Sequence, residues 1–249
     1  MDRKLIEELR RLADEYETER FLSGDPSWFM HQVEGDANRE ATAFVASCLS
    51  YGSRRQFMPK IQCLLDSACG DIDGWIRRGG FAADVRKGCP DCFYRFYTNG
   101  DMHEFLATYR SLLEREGTLG EYVRRRGDGS GLGAVRAICA AFGKTAPVPA
   151  DAKSACKRVC MFLRWMVRSG SPVDLGLWSG FIDRSTLAMP LDVHVLRQSA
   201  RLGLARSATA SMSAALRLSK VLSEAFPGDP LKGDFALFGY GVSGQSPSS

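Results

Sequence analysis

Asp192 is the acidic residue whose position most suggests chemistry. It follows Pro190 at the start of a predicted helix over residues 191–202. A carboxylate at a helix start can accept hydrogen bonds from backbone amides and act only as a capping residue. In a pocket of low dielectric, the same group can stabilise positive charge that develops on a substrate. The sequence leaves both roles open.

A second segment with chemical potential is a predicted helix over residues 151–169. One side of this helix is an apolar stripe that we expect to face the core. The opposite face carries four basic residues, Lys153, Lys157, Arg164 and Arg168. Most such faces are simply solvated, although a basic face can also contact an anionic partner.

Two further motifs argue against a metal or a cofactor. Cys89 and Cys92 have the spacing of half a zinc knuckle, but the next close pair, Cys156 and Cys160, has a different spacing on a distant helix. Residues 129–133 are glycine-rich, but no strand precedes them and no Gly-Lys-Ser or Gly-Lys-Thr follows. We therefore predict no metal, no nucleotide and no other cofactor.

Composition narrows the class of protein. The 249 residues contain 33 Lys and Arg against 29 Asp and Glu, a net charge of +4, which is far from that of histone-like proteins. No apolar run is long enough for a membrane span, and the first residues do not form a signal-peptide core, so we expect a cytoplasmic protein with no membrane partner. We also expect buried thiols at five cysteines, Cys48, Cys63, Cys139, Cys156 and Cys160.

Helical periodicity dominates the chain. Apolar residues recur at helical spacing in the N-terminal third, and further helices are predicted at residues 101–116, 119–126 and 132–142. Helix starts are marked at Asp25-Pro26, Gly52-Ser53 and Gly70-Asp71. No segment shows the alternation of a confident strand. We predict an all-α fold.

The strongest motif in the chain is the run Met-Pro-Leu-Asp-Val-His-Val-Leu-Arg at residues 189–197, followed by Arg-Leu-Gly at residues 201–203. It resembles the segment of helix-hairpin-helix DNA glycosylases in which a Val-Asp-Thr-His-Val run opens a helix that ends in Arg-Leu-Gly. Residues 157–162 resemble the corresponding helix of the archaeal 8-oxoguanine DNA glycosylases, in which a lysine begins an apolar run. The whole chain also resembles a bacterial domain family of unknown function, with residues 162–168 among the recognisable runs.

This resemblance implies roles for individual residues. Asp192 matches the catalytic carboxylate of the superfamily. Lys157 matches the lysine that forms a Schiff base with the sugar in lyase-competent members, and Lys153 is the second choice. The positions that match the base pocket are Met161, Asp234 and Phe238.

The resemblance also implies an architecture. It is a single domain over residues 1–249, built from two helical subdomains, about 1–50 plus 205–249 and about 51–204, with a cleft between them. The family's iron–sulfur cluster, found in endonuclease III, requires cysteines near the C-terminus. No cysteine follows Cys160, so we expect no cluster.

One departure concerns the hairpin before the lysine. The family usually has Leu-Pro-Gly-Val-Gly there, and its glycines let backbone amides approach a DNA phosphate. This chain has Pro-Val-Pro-Ala-Asp-Ala at residues 147–152, and Asp151 would repel phosphate if it faced outward. The archaeal 8-oxoguanine enzymes also lack a standard hairpin, so the departure favours that branch.

We therefore predict a DNA glycosylase with lyase activity that excises a damaged base, such as 8-oxoguanine, from double-stranded DNA as a monomer. Two alternatives stay open: a catalytically inactive helical module that binds DNA or protein, and a glycosylase for alkylated bases without Schiff-base chemistry. The residues expected to contact DNA are Lys153, Arg158, Arg164, Arg168, Arg54 and Arg55.

Overall fold

The computed structural model describes residues 1–205 and 209–243, without the side chain of Ser243, and consists mostly of helices. The prediction of an all-α fold is confirmed. The α-helices of this part are α1 (Arg3–Tyr16), α2 (Asp36–Leu49), α3 (Arg54–Ser67), α4 (Ile72–Arg78), α5 (Phe81–Asp84), α6 (Asn99–Glu116), α7 (Leu119–Arg126), α8 (Gly131–Phe142), α9 (Lys157–Val167), α10 (Val193–Arg201), α11 (Met212–Leu222) and α12 (Lys232–Ser243). Short 3-10 helices lie at Glu19–Leu22, Pro26–His31 and Arg184–Thr186.

Local capping chemistry sets several helix starts where the sequence predicted them. The Asp25 side chain accepts a hydrogen bond from the Ser27 amide, and the Asp71 side chain accepts one from the Gly74 amide. Ser53 occupies the capping position of α3, but its side chain makes no capping hydrogen bond. All three helices therefore begin where the sequence predicted. The predicted side-chain cap is present at Asp25 and Asp71 and is not formed at Ser53.

A short antiparallel hairpin lies between α5 and α6, where no strand was predicted. β1 (Cys92–Tyr94) pairs with β2 (Tyr97–Thr98). Strands of three and two residues are too short to show an alternating pattern, which is why periodicity did not reveal them.

The chain divides into two compact units. The first comprises Met1–Ser23, Gly129–Val135 and Ala152–Ser249, and the second comprises Gly24–Asp128 and Arg136–Asp151. These boundaries differ from the expected ones near residues 50 and 205. The reason lies in α2, because the buried Phe44 ring packs against Phe105 of α6 and Phe142 of α8 rather than within an N-terminal subdomain.

In the first unit, α1 packs along α12, which also contacts α10. The Tyr16 ring lies 5.8 Å from the Phe238 ring, and Phe21 lies 4.9 Å from Phe235. Helix α9 is buried on most of its circumference, since Phe162, Trp165 and Met166 are all fully enclosed. Helix α9 is thus a core helix and not an amphipathic surface helix.

Four of the five cysteines expected in the core are buried, and the prediction for Cys63 is wrong. Cys63 is exposed on α3. The buried residues of α3 include Ile61 and Leu64, and position 63 points away from that face of the helix.

Within the part of the chain that the structure describes, no helix combines the length and the apolar character that crossing a membrane would require.

Candidate functional site

Asp192 is the N-cap of α10 and uses its two carboxylate oxygens for different partners. Its backbone is extended, and Oδ1 accepts hydrogen bonds from the amides of His194 and Val195, each at 2.8 Å. Oδ2 accepts a hydrogen bond from Nζ of Lys157 at 2.6 Å. Capping therefore occupies one oxygen and leaves the other directed at a lysine.

Lys157 is the first residue of α9. The residue before it, Cys156, adopts a left-handed conformation with φ of 44°, which turns the chain into the helix. The side chain of Lys157 is 40% exposed and that of Asp192 is 23% exposed. The pair thus lies at the protein surface, half open to solvent, where a ligand could reach both groups.

The ionisation of Asp192 follows from its surroundings. Burial by itself would raise the pKa of this carboxyl, but the charge and hydrogen bond of Lys157 and the amides of Val195 and His194 outweigh burial, so the pKa is lowered overall. At neutral pH Asp192 is therefore a carboxylate that faces Nζ of Lys157.

The face of α9 that carries Lys157 continues with Met161 and Arg164 on the next two turns. Met161 is half-buried, and Arg164 is buried. Arg164 forms ion pairs with Asp234 of α12 and, through Nε at 3.2 Å, with Asp174. Arg164 thereby joins α9 to α12 beside the Lys157–Asp192 pair.

Asp234 is the second acidic group of this region. Burial raises its pKa, and the positive charge of Arg164 opposes that rise. The charges of Lys157 and Asp192 act on the pKa of Asp234 in opposite directions, which places all three groups within electrostatic reach of one another. The structure therefore gathers Lys157, Asp192 and Asp234, which the resemblance had assigned to one site.

Phe238 lies one turn after Asp234 on α12. Its half-buried ring makes edge contacts with Phe21 at 5.0 Å and with Tyr16 at 5.8 Å. These contacts make Phe238 part of an aromatic cluster on the same helix as Asp234. Its predicted role in base stacking stays a prediction.

The prediction that Arg164 and Arg168 contact DNA is wrong. Arg164 is 4% exposed and Arg168 is 2% exposed. Arg168 binds Asp174 and holds Asp229 with Nε–Oδ1 and Nη2–Oδ2 distances of 2.8 and 2.9 Å. Both arginines pair with internal carboxylates, because the core encloses α9 and its C-terminal end at these two positions.

Sequence reasoning missed the acidic partners Asp174, Asp229 and Glu17 of these arginines, although it had named Asp234. Asp174 is fully buried between Arg164 and Arg168, and burial raises its pKa against the effect of the two guanidinium groups. Glu17 pairs with Arg168 at 2.8 Å. The only sequence signal was indirect: arginines on a helix rich in large apolar residues require acidic partners from elsewhere in the chain.

The remaining basic residues lie in different settings. Lys153 is exposed and precedes α9, in a segment where its carbonyl accepts a hydrogen bond from the amide of Met212. That contact explains why the helix predicted from residue 151 begins only at Lys157. Arg158 is half-buried on α9, while Arg54 and Arg55 are exposed at the start of α3, where Arg54 lies 3.3 Å from Asp25.

In the described residues, no three or more His, Cys, Asp or Glu side chains are grouped in a way that could hold a metal ion. Cys89 instead donates a hydrogen bond to Asp91 at 3.4 Å, and Cys92 donates one to the carbonyl of Arg95 at 3.4 Å.

Comparison with known proteins places this chain in a family. Residues 25–243 match the model of the family described as "Protein of unknown function (DUF2400)", and the chain belongs to that family. No curated protein and no solved structure matched the chain.

Proposed function

We propose that this protein is a DNA glycosylase with lyase activity that excises a damaged base, an oxidised purine such as 8-oxoguanine, in base excision repair. The observation that carries the proposal is the 2.6 Å contact between Lys157 Nζ and Asp192 Oδ2, two residues 35 positions apart in the sequence. The resemblance to helix-hairpin-helix glycosylases named the same two residues.

The geometry supports different roles for the two residues, with Asp192 as the proton acceptor and Lys157 as the nucleophile. Asp192 takes a proton from the Lys157 ammonium group, with which it already shares a hydrogen bond. The free amine attacks C1′ of the deoxyribose, the bond from C1′ to the base breaks, and its electron pair leaves with the base, which takes the proton from Asp192 and so returns Asp192 to its anionic form. The C1′–O4′ bond then breaks, O4′ takes up a proton that Nζ loses, and a protonated Schiff base remains between C1′ and Nζ.

The anionic form of Asp192 also suits the transition state. Positive charge builds on the sugar as the base departs, and a carboxylate held in place by two backbone amides stabilises that charge without reorganising. Its lowered pKa keeps it ionised at neutral pH. Asp234, half-buried and with a raised pKa, offers a polar contact for the edge of an extruded base.

We further propose that the protein acts in the cytoplasm, as a monomer, on double-stranded DNA. Arg54, Arg55, Lys153 and Arg158 are the basic residues of the predicted set that remain for phosphate contacts, since none of them is buried.

The test is incubation with duplex DNA that carries 8-oxoguanine, followed by borohydride trapping. The unmodified chain is expected to form a covalent adduct, and Lys157→Gln is expected to lose it. Lys153→Gln is the matched control and should keep it. An adduct that survives Lys157→Gln would remove Lys157 from its role.

Two other results would redirect the proposal. Excision without any trapped adduct would indicate a glycosylase that uses Asp192 with water as the nucleophile. No excision of oxidised or alkylated bases, together with DNA affinity unchanged by Asp192→Asn, would indicate a noncatalytic module. The absence of glycine from residues 147–152 favours that second reading.

A further inference from the structure

The tip of the β1–β2 hairpin presents an aromatic side chain to solvent. Phe96 is 81% exposed, the highest value among the large apolar side chains that the structure describes. A single exposed apolar residue is ordinary on a protein surface. The residues that contact and flank Phe96 indicate a role for this exposed ring.

The hairpin is fastened to the segment between α2 and α3 through Tyr51. The Tyr51 ring lies 5.1 Å from the ring of Tyr94 and 5.2 Å from that of Tyr97. The Tyr94 hydroxyl donates a hydrogen bond to the Tyr51 carbonyl, and the Phe96 amide donates one to the Tyr51 hydroxyl at 3.4 Å. These contacts with Tyr51 hold the hairpin that carries Phe96 in a fixed position.

Arg95 lies beside Phe96 in an unusual backbone conformation. Its φ is 53°, in the left-handed region that non-glycine residues rarely occupy. This conformation places the guanidinium group over both the Tyr51 ring, at 5.5 Å, and the Phe96 ring, at 5.8 Å. Strain of this kind is concentrated at functional surfaces.

The surface around the tip is basic. Residues 51–60 include Arg54, Arg55 and Lys60 and contain no acidic residue, and the hairpin residues 92–98 contain none either. Lys60 lies over the Phe93 ring at 5.3 Å, and Arg55 is exposed. An exposed aromatic ring with one guanidinium group over it, on a hairpin that packs against a segment without acidic residues, is complementary to nucleic acid, whose bases stack and whose phosphates are anionic.

We propose that this hairpin is a DNA-contact element: Phe96 stacks on bases left exposed where the duplex is opened, and Arg95 and Arg55 bind the flanking phosphates. The inference rests on the proposed function in its choice of DNA as partner. It goes beyond that function because residues 92–98 belong to the second unit and none of them was assigned a role in the proposed function, which among the residues of this element had named only Arg55. Apolar side chains inserted at distorted base steps are an established means of holding a bent or opened duplex.

The experiment measures binding to two duplexes by fluorescence anisotropy. One duplex is fully paired, and the other contains a tetrahydrofuran abasic-site analogue with 2-aminopurine beside it. Phe96→Ala is expected to weaken binding to the abasic duplex about 5- to 150-fold, the loss that removal of one stacking ring produces. Binding to the paired duplex should change much less. Phe96→Trp should retain affinity, and its indole fluorescence should be quenched when the abasic duplex binds.

Val242→Ala is the matched control, because Val242 is 61% exposed and lies outside the hairpin. It should leave both affinities unchanged. Circular dichroism verifies that Phe96→Ala stays folded, which its exposure makes the expected result.

This assay separates the two proposals, because the abasic analogue has no base to remove and needs no Lys157. Full affinity of Phe96→Ala for the abasic duplex overturns the hairpin proposal, as does a lack of binding by the unmodified chain. Selective loss of affinity in Phe96→Ala supports it, even if the unmodified chain excises no base and the proposed function fails.

Discussion

Lys157 and Asp192 share a hydrogen bond of 2.6 Å through the one carboxylate oxygen that the capping of α10 does not use. Asp192 can therefore cap α10 with one oxygen and act on a substrate with the other. The cap fixes the carboxylate with two amide hydrogen bonds, and a fixed carboxylate is what a lysine nucleophile or a developing cation requires. The roles can be separated by substitutions that remove one and keep the other.

Asp192→Asn should separate capping from charge. Asparagine caps helices about as well as aspartate, so we expect a loss in the free energy of unfolding of less than about 1 kcal/mol. The excision rate should fall about 100- to 1000-fold, because the anion that faces Lys157 is removed. Thermal unfolding and single-turnover excision measure the two effects. A variant that keeps its excision rate would show that Asp192 is only a cap.

Acid should reveal the same ion pair in the stability of the protein. The pKa of Asp192 is lowered in the folded state, so the stabilisation from its charge is complete above the ordinary aspartate pKa of about 3.9 and is lost as the pH falls through the folded value. We expect the difference in unfolding free energy between the unmodified chain and Asp192→Asn to be constant from about pH 5 to 7. It should shrink below about pH 4. Urea titrations at a series of pH values test this, and a difference that grows in acid would contradict it.

Asp174→Asn should be among the most destabilising polar substitutions in the first unit. Asp174 is buried between Arg164 and Arg168, and its neutralisation leaves two buried guanidinium groups without a shared counter-ion. We expect a loss of about 3 kcal/mol or more in unfolding free energy. The control is Glu7→Gln, which breaks the exposed Arg3–Glu7 pair and should cost less than about 1 kcal/mol. Equal losses in the two variants would show that the buried network contributes no more than a surface pair.

The sequence predicted single helices and their caps better than it predicted the site. The start of α10 was readable because Pro190 and Asp192 act within a few residues of each other. The approach of Lys157 was not readable from spacing, since 35 residues and several turns of chain intervene, and only the resemblance suggested it. The burial of Arg168 escaped prediction because its partner Asp229 comes from a distant turn.

Salt dependence should distinguish an arginine that contacts DNA from an exposed arginine that does not. If Arg55 contacts a phosphate, Arg55→Ala should weaken binding to duplexes of any sequence and reduce the slope of log K against log salt concentration by about 1. Arg3→Ala removes another exposed arginine, with a side chain 91% exposed on α1, and should leave the slope unchanged. Anisotropy titrations between 50 and 200 mM salt, roughly the range over which such contacts are most sensitive, supply the measurement. An unchanged slope in Arg55→Ala would remove Arg55 from the DNA surface.

Gly52→Ala should disturb the hairpin through Arg95. Gly52 has a φ of 81°, and an added Cβ atom would lie 2.4 Å from Nη1 of Arg95 and 3.1 Å from the Tyr94 hydroxyl. Gly70 is the matched control, because its φ is 78° and an added Cβ would meet nothing within 4 Å. Both alanine variants should lose about 1 kcal/mol of stability from left-handed backbone strain. Only Gly52→Ala should also lower DNA affinity, because the arginine must leave the Tyr51 ring to make room. Equal affinities in the two variants would show that the position of Arg95 is irrelevant to binding.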